Sequence, residues 1–289
     1  MRETSNPVFR SLPKQQGGYA QFGTGYAGAP QPYQGDPYVA QYPDQRQTGV
    51  SRPLTIDDVV TKTGMTLAVL SVVAIVSYFL VSANLALAMP FTLVGALGGL
   101  ALVLVATFGR KQDSPAIVLS YAALEGLFLG AISFVLANIA VSNSNAGMMI
   151  FQAILGTVGV FAGMLIVYKT GAIRVTPKFT RMVVAGLFGV LVLMLGNLVL
   201  AMFGVNGGAG LGLRGGGAGT GLPWLAIVFS LVCIGLAAFS FLIDFDAADQ
   251  MIRAGAPEKA AWGIALGLTV TLVWLYIEIL RLLSYFQRS

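Results

Sequence analysis

The chain has 289 residues, of which 56% are hydrophobic and only 10% charged, with a mean hydropathy of +0.78 and a net charge of +5. Soluble domains carry roughly a quarter charged residues, so this composition excludes a water-soluble globular protein and places the chain in a lipid bilayer. Histidine is absent and cysteine occurs once, at Cys233, which excludes an internal disulfide, cysteine–histidine zinc sites and any catalytic triad that uses imidazole.

Residues 1–53 are rich in Gly, Gln, Pro and Tyr and poor in aliphatic side chains, the composition of a segment expected to stay disordered. Residues 54–289 then form the membrane domain. Thr55-Ile56-Asp57-Asp58 reads as a helix start, with Thr55 as N-cap and two acids at the positive end of the dipole. Seven apolar stretches follow, at about Gly64–Ala83, Leu87–Phe108, Pro115–Leu136, Met148–Tyr168, Met182–Phe203, Leu222–Ile243 and Ala260–Tyr285. Each approaches the roughly 20 residues that cross the hydrocarbon. Glycines four apart at Gly126/Gly130, Gly159/Gly163 and Gly263/Gly267 are expected to let helices approach closely.

The basic residues sit at the ends of these stretches, where they set orientation, so nucleic acid is not an expected partner. Fourteen lysines and arginines fall on the side of the N-terminus and the even-numbered connections, against three on the other. That asymmetry predicts a multi-pass cell-membrane protein with its N-terminus in the cytoplasm and its C-terminus outside. The fifth connection, Gly204–Gly221, is glycine-rich but lacks the Gly-Lys-Ser/Thr ending of a phosphate loop, and reads as a flexible linker.

Acidic residues inside the spans are the candidate functional groups, because a carboxylate in hydrocarbon costs roughly 2.5–3.5 kcal/mol on insertion scales. Glu278 lies well inside the last span, with Arg281 one helical turn on, available for a local pair or for snorkelling to the headgroups. Glu125 is near the middle of the third span and needs a partner or a proton. Asp244 and Asp246 close the sixth span, and Asp249 follows just outside. Two carboxylates brought together in a low dielectric share a proton and titrate as a pair, and their oxygens suit calcium.

Glu125-Gly126, Ile243-Asp244-Phe245-Asp246 and Leu275-Tyr276-Ile277-Glu278-Ile279-Leu280 together resemble the Bax inhibitor-1 family, and Leu54-Thr55-Ile56-Asp57-Asp58 resembles its actinobacterial members. The resemblance spans about residues 54–287. It implies an all-α integral membrane fold of seven transmembrane helices with the C-terminal helix central. It also implies a pH-sensitive calcium leak gated by a proton-sharing carboxylate pair. Carried onto this chain, the pair is Asp244 and Glu278, which are also the tentative calcium ligands. Asp246 and Asp249 are the alternative partners, and Glu125 and Arg281 line or brace the path. Two features depart from the family pattern: glutamate stands where aspartate is common at position 278, and the partners are 34 positions apart. Ala260 to Glu278 rises about 27 Å as a helix, so the two acids meet only if the sixth helix ends deeper or the seventh begins outside the membrane.

These readings predict a non-enzymatic protein without a cofactor, whose partners are lipid, protons and calcium as permeant ion. The competing expectation is a membrane-embedded regulator that binds other membrane proteins, such as a quality-control protease, without transport. A retinal-type receptor is excluded, since the seventh span has no lysine.

Overall fold

The structure, a computed structural model, describes residues 52–140, 146–214 and 223–288. The disorder expected of the tail falls on residues outside this set, apart from Arg52 and Pro53 at its end. Apolar runs in hydrocarbon must satisfy their backbone groups internally, so they fold as helices. Among the described residues, seven helices are long and apolar enough to cross a membrane: α1 (Ile56–Ala83), α2 (Ala88–Phe108), α3 (Pro115–Ala140), α4 (Ala146–Thr170), α5 (Pro177–Met202), α6 (Pro223–Arg253) and α7 (Ala260–Arg288).

α1 begins where its sequence signals it. Thr55 is extended, its hydroxyl accepts from the Asp58 N–H, and Asp58 accepts from the Thr55 N–H at 3.0 Å, which completes a capping box. The residues just before this cap are fastened to the α6–α7 connection. Leu54 N donates to Ala256 O at 2.8 Å, and Glu258 N donates to Arg52 O at 3.0 Å. Lys62 on α1 adds an ion pair to Glu258 at 2.8 Å. The hydrogen bond and charge of Lys62 hold the Glu258 carboxyl below its ordinary range. This cluster ties α1, α6 and α7 at one end of the bundle.

The boundary expected for the sixth span, Ile243, is corrected: α6 continues ten residues further, to Arg253. The acids of this extension have helix-compatible partners. Asp246 accepts from Gln250 at 2.6 Å and Asp249 pairs with Arg253 at 2.8 Å, each four residues on. Gly255 then turns the chain at φ 65°. Asp244 is therefore an interior helix residue.

α7 is the central element, packing against α1, α3, α4 and α6, with 56% of its most apolar stretch buried against 6% for α5. Its faces supply the core: Leu268, Leu272 and Leu275 with Phe241 and Phe245 of α6, Val273 with Leu70 of α1 and Ala122 of α3, Leu280 with Met149 and Ala153 of α4. α2 lies on α3, and α5 has α6 as its extensive helix neighbour.

Of the paired glycines, only Gly126 and Gly130 produce the close approach expected. A Cβ at Gly130 would meet Ser77 Cβ at 2.6 Å and Tyr78 N at 2.8 Å on α1. Gly159 and Gly163 have nothing within 4 Å, and Gly263 and Gly267 have only ordinary contacts. Spacing alone does not supply a partner helix.

Candidate functional site

The acidic residues occupy three separate environments. Asp244, on α6, accepts from the Thr271 hydroxyl of α7 at 2.8 Å. It lies in a cavity of about 420 Å³ between α6, α7 and the α2–α3 connection. Arg110, Gln112 and Asp113 also line the cavity and are exposed, so this carboxylate stands at the inner wall of a vestibule that reaches the surface. Gly267 lines the vestibule beside it, where a Cβ would make only an ordinary contact, 3.9 Å from Asp244 Oδ1.

Glu278 is 1% exposed. Its Oε1 accepts from Arg281 Nη1 at 3.1 Å and from Arg214 Nη1 at 3.0 Å, and its Oε2 accepts from Ser230 Oγ at 3.3 Å. Arg281 turns inward to the carboxylate, its side chain 16% exposed, and so makes the local pair. Arg214 arrives from the α5–α6 connection. It is steadied by Met194 Sδ, 3.3 Å from its Nε, by the ring of Phe229 beneath its guanidinium, and by Tyr285, whose hydroxyl donates to its backbone oxygen at 2.9 Å. A buried carboxylate demands such partners, because its desolvation is not offset otherwise.

The expected Asp244–Glu278 pair is not formed in this structure. Thr271, which holds Asp244, precedes Glu278 by seven residues, about 10 Å along α7. The interval is filled by the buried side chains of Leu272, Leu275 and Phe241. Asp246 and Asp249 do not meet Glu278 either; besides its arginine, Asp249 accepts from Tyr168 at 3.3 Å. Glu125 points onto Gly99 of α2, where a Cβ would lie 2.7 Å from its Oε1, and its buried Oε2 has no hydrogen-bond partner. It approaches neither of the other two acids by a hydrogen bond.

A family model described as Bax inhibitor 1 like matches residues 6–288, nearly the whole chain. The chain belongs to the Bax inhibitor 1 like family. No curated protein matches it.

In this Bax inhibitor 1 like chain, sequence reasoning missed three groups that touch Asp244 and Glu278: Thr271, Ser230 and Arg214. The two hydroxyls carry no signal in an apolar span, where such groups usually bond their own helix. Arg214 had one available signal. It is the only cation on its connection, and a buried Glu278 requires counter-charge beyond a neighbour that also reaches the membrane surface. The linker reading of that connection is corrected over residues 204–214. Leu211 N donates to Asn197 Oδ1 at 2.8 Å, and Gly210 packs on Asn197, so the connection folds back onto the bundle and delivers Arg214.

Proposed function

We propose that this multi-pass membrane protein is a pH-responsive, calcium-permeable leak of the cell membrane rather than an enzyme, oriented with its N-terminus in the cytoplasm. The observation that carries this reading is Asp244, an acid held by the central helix at the wall of an open vestibule. A fixed carboxylate there concentrates divalent cations, whose hard oxygen ligands it provides, and protonation cancels that charge. The path runs along α7 from Asp244 toward Glu278. In this reading the buried Leu275 and Phe241 between them block the path.

The latch in this reading differs from a shared-proton pair. Each acid is restrained separately, Asp244 by a hydroxyl and Glu278 by two guanidiniums and a serine. Opening then requires the intervening apolar contacts to separate, with Asp244 as the titrating group that faces water. The test is calcium flux into proteoliposomes scanned from about pH 5 to 8 for wild type and Asp244→Asn. The expected result is a pH-dependent flux in wild type whose dependence disappears in the variant. Folded wild-type protein that conducts no calcium at any pH overturns the reading.

A further inference from the structure

The charge count at Glu278 is unbalanced. Among the described residues, two guanidiniums share one oxygen of a single carboxylate that is 1% exposed, leaving a surplus positive charge at this end of the bundle. An arginine on an ion path acts as an electrostatic barrier to cations. The two arginines are not equivalent. Arg281 belongs to α7, three residues from Glu278, and is fixed by its own helix. Arg214 enters on a connection whose backbone turns through left-handed conformations at Gly204, Gly207, Gly208, Gly210 and Gly212, a route with few helical restraints.

We propose that Arg214 is the removable counter-charge that closes this end of the bundle to cations and so sets which ions pass it. This rests on the leak reading and names the residue that regulates it. With Arg214 in place the site is net positive and repels a divalent cation. With Arg214 withdrawn, Glu278 and Arg281 form a neutral pair beside the Ser230 hydroxyl, and the barrier is gone. The same withdrawal uncovers Cys233. Leu213, next to Arg214, packs in one buried cluster with Cys233 and Phe229, and the thiol is 0% exposed. The chain's single cysteine is thus a built-in reporter of the closed state.

The experiment uses full-length protein in vesicles, with calcium flux and modification of Cys233 by a membrane-impermeant cationic methanethiosulfonate, applied to both faces, as separate readouts. Wild type and Arg214→Lys are expected to leave Cys233 unmodified. Arg214→Gln is expected to expose it and to raise calcium flux on the order of tenfold. The variant leaves Glu278 its Arg281 partner, so folding is preserved, and mass measurement of the labelled protein verifies the site. An Arg214→Gln protein with wild-type flux and an unmodified Cys233 overturns the proposal while the leak reading stands. If Cys233 becomes reactive in Arg214→Gln but no variant conducts calcium, Arg214 is upheld as the closing group and the leak reading falls.

Discussion

Arg214 and Glu278 stand 64 positions apart in the chain, and 3.0 Å separates Nη1 of one from Oε1 of the other. The contact joins a connection between peripheral and inner helices to the helix around which the bundle is built. Its burial makes the interaction asymmetric in consequence. A well-bonded buried pair contributes modestly, but removing one partner strands the other charge in a low dielectric.

Glu278→Gln strands two guanidiniums at once. The expected loss is about 3 kcal/mol of stability, read as a lowered thermal unfolding midpoint of the purified protein. Asp244→Asn should cost less, because its carboxylate borders a vestibule and the asparagine oxygen still accepts from Thr271. Equal melting of Glu278→Gln and wild type would contradict the ion-pair account.

Glu125 presents the opposite case. Its buried Oε2 receives no hydrogen bond, so replacing that oxygen by an amide nitrogen breaks none there. Glu125→Gln is expected to change stability by less than about 1 kcal/mol. A loss comparable to that of Glu278→Gln would contradict this account of the Glu125 site.

The Lys62–Glu258 pair makes the fastening of α1 to the α6–α7 connection pH-dependent. Glu258 has a lowered folded-state pKa, so its contribution is complete above the unfolded value of about 4.3 and is lost as pH falls through the folded value. Lys62→Met should therefore lower the melting temperature by a constant amount near neutrality. Below about pH 4 the difference from wild type should shrink. A difference that grows on acidification would reverse the sign and refute the assignment.

Glycines with identical spacing should respond differently to alanine. At Gly130 the added Cβ meets α1 side chain and backbone at less than 3 Å, and α1 must move away from α3. A cost of about 1–3 kcal/mol is expected. At Gly159 the Cβ meets nothing within 4 Å, and Gly159→Ala should melt with wild type. Thermal unfolding of the two variants side by side checks this pair of outcomes.

What was legible in the chain was local. The Thr55–Asp58 cap and the seven apolar runs depend on neighbours in sequence, and they stand where the pattern put them. The family resemblance, with its central last helix, was carried by short motifs around the acids despite the glutamate at position 278. The end of α6 was misplaced because hydropathy marks where hydrocarbon ends, whereas Gln250 and Arg253 allow the helix to continue past it. The surroundings of the acids were not legible. Asp244 and Glu278 are held by a hydroxyl on another helix and by a guanidinium from a distant connection, and neither spacing nor composition encodes those distances.

α5 fully buries a single residue, Val183; Val190 and Met194 are half-buried against the cluster of Leu213, Phe229 and Cys233, and most of its remaining large apolar side chains are exposed. Packing is what holds helices together in a bilayer, since lipid tails are as apolar as the side chains. A helix with so little packing is held to the bundle chiefly by its contacts with α6 and by the connection that follows it. Asn197, near the C-terminal end of α5, grips the connection that carries Arg214. α5 is thereby tied, through one short segment of chain, to the charge beside Glu278 on the central helix.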